Sequence, residues 1–423
     1  MRRIEADIAV VGGGAAGMLA SAMAAEQGLR VVLMERNEGY TGKKLRITGK
    51  GRCNLTNNCS VREVLDQILT NSRFMISAVS RFGPADVMAY FESMGVALKT
   101  ERGGRVFPVS DRAEEVVQAM RRKLRQTGVQ VVYDRARAIR TAEDAVAAVC
   151  GEHTEISCAA VILCTGGVSY PATGSTGDGY EMSAALGHRI VPPRPSLVPL
   201  CCSDGCCAQM QGLSLRNVRL TAMDRKGRTV FTDFGEMLFT HFGVSGPLVL
   251  SASAHMRSFE GGQYTLSIDL KPALDQEKLD ARLLRDFKQY GNRNFANYLP
   301  ELVNRSMVPV VLERVGIPGD MKLNSVTRAQ RAELLRLLKD FRLCVTGPRP
   351  VDEAIVTAGG VDVRQVSPST MQSKLVHGLY FAGEILDVDA YTGGFNLQIA
   401  WSTAKAAADA AAAQIQQTEG NTL

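Results

Sequence analysis

The pattern of hydrophobic and polar positions near the start of the chain predicts a strand, a helix and a second strand in succession. Residues 7–11 are mostly β-branched and apolar, and three glycines separate them from an alanine-rich stretch at residues 15–27. Gly28 is typical of a helix end, and residues 30–34 form a second apolar run that ends at Glu35. This order is that of a βαβ unit, so we expect an α/β fold.

Later changes in the pattern indicate further structural parts. A proline-rich stretch at residues 191–195 marks a first boundary. The short strand-like segments between 197 and 270 are typical of a small β-barrel or β-sandwich, whereas residues 272–340 have a helical pattern. Residues 342–346 would return to the barrel, and the glycine and prolines at 347–350 mark a second boundary.

The composition predicts a globular protein with a large buried core, because 45% of the residues are hydrophobic and 22% are charged. The formal net charge of +6 comes from scattered basic residues, which favours small anions such as phosphorylated cofactors and argues against a nucleic-acid partner. Most of the 10 cysteines lie in apolar runs, where thiols behave as small buried hydrophobic groups. We therefore expect a cytoplasmic protein with reduced thiols.

The uncharged run at residues 8–25 follows Arg2 and Arg3, and so it imitates a signal peptide or a short membrane span. Glu5 and Asp7 interrupt the approach to this run and three glycines lie within it, so a strand, a turn and a helix explain it better. No other stretch of the sequence is long and apolar enough to cross a bilayer. We expect a soluble protein without a membrane partner.

The glycines after the first predicted strand have the spacing Gly12-x-Gly14-x-x-Gly17. Such glycines allow a tight turn, a close approach of a pyrophosphate to the backbone, and close packing of helix on strand. Glu35 ends the second predicted strand, where a carboxylate can accept both ribose hydroxyls of a dinucleotide. The order of strand, glycines, helix, strand and acid therefore predicts a dinucleotide site, with a tight turn in an unrelated α/β domain as the alternative.

Two later strand ends combine small residues with an acid. Residues 161–167 form a buried strand that ends in small residues, as in flavoproteins with two dinucleotide-binding folds. Gly383 and Glu384 follow another strand, where an acid can bind a ribityl chain, and residues 391–398 open a terminal helix. The N-terminus of that helix would stabilise negative charge on a reduced flavin ring. Asp178, after a glycine-rich stretch, either accepts a cofactor hydroxyl or caps a helix.

A glycine-rich loop at residues 42–57 carries five basic residues and several amides. Such a loop suits a diphosphate or the polar edge of a flavin, although composition alone also fits a solvated basic loop. Cys53 lies within it, and the nearby cations could lower its pKa and make it reactive.

With these motifs the chain resembles the BaiN / aminoacetone-oxidase family of NAD(P)/FAD-dependent oxidoreductases. The matching segments extend nearly from end to end, at residues 42–57, 105–108, 165–180, 236–247, 356–361, 370–374 and 378–398. The resemblance implies a discontinuous Rossmann-like FAD-binding domain of residues 1–191 and 348–423. It also implies an inserted β-barrel domain of residues 192–271 and 341–347, which itself carries a helical insertion of residues 272–340.

The resemblance also implies FAD as the cofactor and a set of contact residues, and we expect no metal site. The expected contacts come from the glycine fingerprint, the end of the second strand, the basic loop, the later strand ends and the terminal helix: Gly12, Gly14, Ala15, Ala16, Gly17, Glu35, Arg36, Lys43, Lys44, Arg52, Cys53, Asn54, Thr165, Gly166, Asp178, Gly383, Glu384, Gly394, Asn396 and Leu397. By analogy, backbone atoms near Val131 should hold the adenine.

The candidates for catalysis are His241 and Tyr391. His241 lies before a glycine-rich segment and could donate a proton to a substrate, although a structural role is an equal alternative. Tyr391 and Tyr170 flank the predicted flavin loops and could line the pocket, or they could simply pack. Four cysteines within seven residues, at 201, 202, 206 and 207, could bind zinc or form a labile disulfide, or they could lie in a variable turn.

These observations predict an FAD-dependent oxidoreductase that acts on a small organic substrate, with NAD(P)H as a possible transient donor. The sequence contains no second glycine fingerprint after a strand, which a dedicated nicotinamide domain would need. An oxidase of a small amine, a flavin-dependent RNA-modifying protein and a flavoprotein sensor are the alternatives. The sequence does not indicate the substrate or the oligomeric state.

Overall fold

A computed structural model describes residues 1–256, 259 and 264–420 of the chain. The chain forms two units, and each has its own hydrophobic core. The first unit consists of Met1–Ser196 and Ala354–Leu423, and the second is Leu197–Glu353. The chain therefore leaves the first unit once and returns to it. The three domain ranges expected from the sequence stay a prediction.

The first segment of the first unit contains twelve strands and six α-helices. In chain order they are β1 (Arg2–Glu5), β2 (Ile8–Val11), α1 (Ala15–Glu26), β3 (Val31–Glu35), β4 (Thr56–Asn57), α2 (Val61–Asp66), α3 (Ile76–Arg81), α4 (Pro84–Ser93), β5 (Leu98–Thr100), β6 (Arg105–Pro108), α5 (Ala113–Gln126), β7 (Gln130–Tyr133), β8 (Ala136–Ala142), β9 (Ala145–Gly151), β10 (Thr154–Ser157), β11 (Ala160–Leu163), α6 (Asp178–Ala185) and β12 (Ile190–Ser196). Short 3-10 helices lie at Leu45–Gly51, Ser72–Met75 and Pro171–Thr173.

The second unit follows without interruption. Its elements are β13 (Leu200–Cys202), α7 (Cys206–Gln209), β14 (Ser214–Asp224), β15 (Thr229–Thr240), β16 (Gly243–Ser245), α8 (Pro247–Ala254), β17 (Tyr264–Asp269), α9 (Gln276–Gln289), α10 (Phe295–Tyr298), α11 (Val308–Val315), α12 (Arg328–Lys339) and β18 (Phe341–Pro348). The returning segment adds β19 (Val356–Val361), β20 (Leu379–Phe381) and α13 (Phe395–Gly420) to the first unit. Further 3-10 helices lie at Leu299–Glu301, Arg305–Met307, Leu323–Ser325, Val351–Glu353 and Val363–Gln365.

A parallel five-stranded sheet with the order β20-β11-β2-β3-β7 forms the centre of the first unit. Every residue of β2, β3 and β11 is buried, because helices cover a parallel sheet on both faces. α1 and α13 pack against each other, and the Nε1 of the fully buried Trp401 in α13 donates to the carbonyl of Leu55 at 2.9 Å. Smaller sheets, β1-β10-β9-β8, β4-β6-β5 and β12-β19, complete this unit.

The second unit contains a closed barrel with the strand order β13-β16-β15-β14-β17-β18. The helices α9 to α12 all lie between β17 and β18 in the chain, so they form an insertion into the barrel. α12 begins with a capping box, in which the Thr327 side chain accepts from the Gln330 backbone. The predicted fold class, a Rossmann-like α/β domain with an inserted barrel that carries helices, is therefore confirmed.

The proline-rich stretch predicted as a boundary is a strand in the structure. Residues 190–196 pair antiparallel with β19, and the register shifts between Val191 and Arg194. The shift spans Pro192 and Pro193, which have no N–H to donate to a partner strand. The two-stranded arrangement tolerates them because a proline can face away from its single neighbour. Within the described residues, no helix is both long and apolar enough to span a bilayer.

Candidate functional site

A cleft of about 470 Å³ lies in the first unit, at the carboxyl ends of the central parallel strands. Its walls include the last residues of β2 and β3 and the residues that follow β11 and β20. In open α/β sheets, ligands bind at this edge because the loops after the strands converge there. All lining residues belong to the first unit, so its two chain segments build the cleft together.

The three glycines of the fingerprint have three different surroundings. Gly12 has a φ of +100°, and a Cβ there would lie 2.6 Å from the carbonyl oxygen of Cys164. A Cβ on Gly17 would lie 1.8 Å from the carbonyl oxygen of Gly12, so this glycine permits close packing of α1 on the turn. A Cβ on Gly14 would meet nothing within 4 Å, because this residue faces the open cleft.

The N-terminus of α1 also faces the cleft. Gly14 is its N-cap, no side chain caps it, and no acid lies in its first turn. The free N–H groups and the helix dipole therefore favour an anion such as a pyrophosphate. The uncapped N-terminus of α1 therefore fits the pyrophosphate of a dinucleotide.

Glu35 is held rigidly at the end of β3. Its buried carboxylate accepts from the Gly13 N–H at 2.7 Å through Oε2, and from the Asn37 N–H at 2.7 Å through Oε1. The Asn37 side-chain amide donates to the same Oε1 at 2.6 Å. Because the backbone orients the carboxylate toward the cleft wall, its remaining lone pairs are available to ribose hydroxyls.

Asp178 forms a charged cluster with two arginines on one side of the cleft. Arg135 donates to both carboxylate oxygens, at 2.8 and 2.7 Å, and Nη1 of Arg36 lies 3.3 Å from Oδ2. The hydrogen bond from Arg135 holds the pKa of Asp178 below its ordinary value. The N-cap of α6 is Gly177 and no side chain caps this helix, so the capping alternative for Asp178 is wrong.

A polar network joins the basic loop to the end of β20. The Lys44 ammonium donates to Glu384 Oε2 and to Ser169 Oγ, each at 2.7 Å. Glu384 Oε1 accepts from the Thr357 N–H at 2.9 Å and from Ser169 Oγ at 3.1 Å. Residues from three other segments thereby fix the Glu384 carboxylate beside Gly383, where it lines the cleft.

The start of α13 closes the other end of the cleft. Asn396 holds the preceding turn, since its amide group accepts from the Ala390 N–H at 3.0 Å and donates to the Ala390 carbonyl at 2.7 Å. A Cβ on Gly394 would lie 2.4 Å from the carbonyl carbon of Thr56, so only glycine fits there.

Two buried polar atoms near the cleft, Oδ1 of Asn54 and Oγ1 of Thr165, have no partner among the described residues. Both residues line the cleft, and a bound ligand would satisfy them.

The basic loop divides into residues that line the cleft and residues that hold the loop in place. Lys43, Lys44, Lys50 and Asn54 line the cleft. Arg52 instead donates to Glu101 at 3.0 and 2.9 Å and to Asp111 at 3.1 Å. This explains why a solvated loop and a binding loop could not be distinguished by composition, since the loop contains both kinds of residue.

Cys53 does not have the reactivity that its basic neighbours suggested. The side chain is fully buried, and burial raises its pKa to about 12. The hypothesis of a lowered pKa is therefore wrong, because the cations of the loop point elsewhere while the thiol faces the core.

The cleft brings together most of the expected contact residues. Those that line it are Gly12, Gly14, Ala15, Ala16, Glu35, Arg36, Lys43, Lys44, Asn54, Thr165, Gly166, Asp178, Gly383, Glu384, Tyr391, Gly394, Asn396 and Leu397. Gly17, Arg52, Cys53 and Val131 are not part of this lining, and Val131 pairs with Leu33 in the sheet. Arg135, Asn37 and Ser169 were not expected, because no local motif marks a residue whose partner is distant in the chain.

His241 belongs to the second unit, where its exposed side chain packs edge-on against Phe242 with ring centroids 5.0 Å apart. It follows β15 directly and precedes β16. Its catalytic role stays a prediction, as does that of Tyr391.

The four clustered cysteines lie in β13 and α7 of the second unit, and all are free thiols. Within the described part of the chain, no group of three or more His, Cys, Asp or Glu side chains could hold a metal ion. The zinc hypothesis therefore finds no support in the arrangement of these thiols.

Comparison with known proteins places the whole chain in one sequence family. The family model described as "HI0933-like protein Rossmann domain" matches residues 6–410. A 3-dehydro-bile acid delta(4,6)-reductase from Clostridium scindens is 31% identical over 96% of this chain and 98% of the relative. A ribosomal RNA dihydrouridine synthase from Escherichia coli is 32% identical over 95% of this chain and 97% of the relative.

Solved structures share the fold at low sequence identity. The 3-ketosteroid-delta4-(5alpha)-dehydrogenase from Rhodococcus jostii is 14% identical, with a TM-score of 0.53 and 97% of each chain covered. A flavocytochrome c3 fumarate reductase is 15% identical, with a TM-score of 0.52, and the match covers 97% of this chain and 79% of the other.

Proposed function

The chain belongs to the HI0933-like Rossmann-domain family of FAD-dependent oxidoreductases, and from this premise we propose that it reduces a carbon–carbon double bond conjugated to a carbonyl. Two relatives with different substrates support this reaction type. The name of the first describes reduction of a delta(4,6) system in a 3-dehydro-bile acid, and that of the second describes conversion of uridine to dihydrouridine. In both cases a double bond next to a carbonyl group becomes saturated.

The observation that carries the proposal is the cleft, which is lined by an uncapped helix N-terminus, by Glu35 and by the Lys44–Glu384 pair. In the proposed arrangement α1 binds the pyrophosphate of FAD, Glu35 binds the ribose next to the adenine, and Glu384 binds the ribityl chain. FAD, when bound, supplies the hydride chemistry. The start of α13 then faces the ring, where its dipole stabilises negative charge.

The protein's own residues would orient the carbonyl substrate and supply the proton. Saturation adds a hydride to one carbon and a proton to the other, and the two electrons come from a reduced nicotinamide dinucleotide. Tyr391 lines the cleft beside the start of α13, so we propose it as the proton donor. The nicotinamide would bind transiently, since no further dinucleotide fingerprint is present in the sequence.

Two substrate classes remain within this proposal. A conjugated ring ketone is the first, in keeping with the small organic substrate expected from the sequence. Uridine within RNA is the second, and it is favoured by the two relatives named ribosomal RNA dihydrouridine synthase, at 32% and 29% identity. These relatives therefore make a nucleic acid a candidate partner, although the scattered charge of the sequence argued against one.

The test is an anaerobic half-reaction followed by a substrate challenge. The purified protein should be yellow, and NADH or NADPH should bleach the flavin absorbance within seconds. A conjugated 3-oxo steroid or an unmodified uridine-containing rRNA fragment should then restore the absorbance, and mass spectrometry should detect a product with two added hydrogens.

The variant Arg140→Ala, on β8 and outside the cleft lining, serves as the control and should behave as the wild type. Rapid reoxidation by oxygen together with no response to either substrate would favour the amine-oxidase alternative. A colourless protein that takes up no FAD would contradict the proposal altogether.

A further inference from the structure

A second groove, of about 780 Å³, adjoins the cleft in the first unit. The two share part of their lining, namely Gly49, Lys50, Asn54, Thr392 and Gly393. The shared residues belong to the basic loop and to the turn before α13. The groove therefore opens onto the end of the cleft where the proposed reaction takes place.

Lys50 presents an unusual combination of backbone strain and free charge. It has a φ of +59°, between Gly49 and Gly51, which also have positive φ. A lysine in the left-handed region costs about 1 kcal/mol, and such strain concentrates at functional sites. Its side chain is exposed and forms no ion pair among the residues that the structure describes. The strained turn thus holds an uncompensated ammonium group at the junction of cleft and groove.

Arg105 supplies a second cation from another element, β6. Its side chain is 47% exposed, and its guanidinium lies 3.9 Å from Glu101, beyond hydrogen-bond distance. Arg52 also lines the groove, but Glu101 and Asp111 already hold it. Glu101 is therefore largely committed to Arg52. Arg105 donates through Nε to the Arg102 carbonyl at 3.2 Å, and its two terminal nitrogens keep donors for a ligand.

The groove lining contains one carboxylate, that of Glu63. Glu63 lines the groove, yet its carboxylate accepts from the N–H and the hydroxyl of Ser60, each at 2.7 Å, as part of a capping box. Gln67 adds a neutral amide to the lining. The groove thus combines two available cations and amide donors with one carboxylate, that of Glu63, which forms no ion pair among the described residues.

We propose that this groove binds a phosphate group of the molecule whose reacting part enters the cleft, with Lys50 and Arg105 as its two cationic contacts. A lysine point charge and an arginine fork together suit a phosphate. The phosphate comes either from the backbone of a nucleic-acid strand or from the nicotinamide dinucleotide donor. This inference rests on the proposed function, since it assigns a recognition site to the same reaction.

The test uses the FAD-loaded full chain and two charge-removing variants, Lys50→Asn and Arg105→Gln. Asparagine tolerates the left-handed region better than other non-glycine residues, so Lys50→Asn should keep the turn intact. Arg62→Ala is the matched control, because Arg62 is exposed on α2 and lies outside the groove lining. FAD content and melting temperature verify that each variant is folded.

Two measurements distinguish the sources of the phosphate. One is the affinity for NADH and NADPH from the concentration dependence of flavin bleaching, and the other is the affinity for a short uridine-containing RNA from fluorescence anisotropy at two salt concentrations. Each variant should weaken one of these affinities roughly tenfold, as expected for loss of a charged hydrogen bond. Weaker RNA binding with a reduced salt dependence identifies the backbone of the nucleic-acid strand as the source of the phosphate. Weaker nicotinamide binding identifies the nicotinamide dinucleotide donor as that source.

The inference is overturned if both folded variants stay within twofold of Arg62→Ala in both measurements. Failure of the proposed function gives a different result. In that case the wild type binds the nicotinamide or the RNA and the two variants weaken that binding, but mass spectrometry detects no product with two added hydrogens from either test substrate.

Discussion

At the scale of single residues, Gly14 and Gly17 should respond in opposite ways to an added methyl group. In Gly17→Ala the new Cβ would lie 1.8 Å from the Gly12 carbonyl oxygen, so we expect the FAD-free protein to lose about 2–3 kcal/mol of stability or to fail to fold. In Gly14→Ala the methyl group enters open space, so the FAD-free protein should melt as the wild type does, while its affinity for FAD falls.

Thermal unfolding without FAD and fluorescence titration with FAD measure the two effects separately. Gly205→Ala is a suitable control, since a Cβ there meets nothing within 4 Å and Gly205 lies in the second unit. A Gly14→Ala protein that binds FAD as tightly as the wild type would contradict the proposed position of the pyrophosphate.

A buried thiol gives a second prediction at this scale. Burial raises the pKa of Cys53 to about 12, so almost none of it is thiolate at pH 8, and the thiolate is the species that reacts. We expect iodoacetamide to modify Cys53 in the native protein at least about 100-fold more slowly than the exposed Cys344. Mass-spectrometric mapping of labelled peptides over time measures both rates.

The two rates should become similar once the protein is unfolded in guanidinium. Replacement of Cys344 by Ser should remove the fast label and leave that on Cys53 unchanged. Rapid native labelling of Cys53 would mean that the loop opens to solvent.

At the scale of elements, the Arg135–Asp178 ion pair joins the start of β8 to the start of α6. The hydrogen bond from Arg135 lowers the pKa of Asp178 from 3.8, so the pair stabilises the folded state above that pH and ceases to do so as the pH falls through the lowered value. Because Asp178 is partly solvated, we expect Asp178→Asn to cost only about 1 kcal/mol at pH 7.

The difference between wild type and Asp178→Asn should shrink as the pH is lowered from 7 to 3, as measured by urea unfolding. Asp66→Asn provides the control, because Asp66 is exposed on α2 and forms no ion pair among the described residues. A constant difference at every pH would show that the substitution acts through packing rather than through charge.

The β12–β19 pair shows that composition alone does not reveal every strand. Three prolines within seven residues are typical of a linker, yet this stretch is a paired strand. It pairs with a segment that lies more than 150 residues later in the chain, and the register shift accommodates the prolines. Local composition contains no information about such a partner.

At the scale of the whole molecule, the second unit should fold by itself. Its barrel closes between β13 and β18, both of which lie within Leu197–Glu353, and it has a separate hydrophobic core. We expect a fragment of residues 197–353 to unfold cooperatively and to bind no FAD. Circular dichroism and thermal melting measure the first property, and absorbance after incubation with FAD measures the second.

A shorter fragment of residues 197–340 provides the matched control. It lacks β18, which pairs with both β13 and β17, so the barrel cannot close and cooperative unfolding should be lost. Cooperative unfolding of the shorter fragment would show that the inserted helices, rather than the barrel, form the stable part.

The amino-acid sequence by itself determined the βαβ start, the glycine fingerprint with Glu35, the basic loop, and a region of short strands followed by helices, for which the family resemblance implied an inserted barrel. These features depend on spacing and periodicity over a few residues, which the linear chain retains. Together with the family resemblance, they were enough to identify the fold class and a set of contact residues, most of which line the cleft.

Only the tertiary structure decided which side chains meet. Lys44 and Glu384 are separated by 340 positions and Arg135 and Asp178 by 43, yet each pair is in direct contact. The tertiary structure also decided the pKa of Cys53, which burial raises although cations lie near it in the chain. Charge partners and burial arise when distant segments pack together, so they follow from the folded arrangement and not from the order of residues in any one segment.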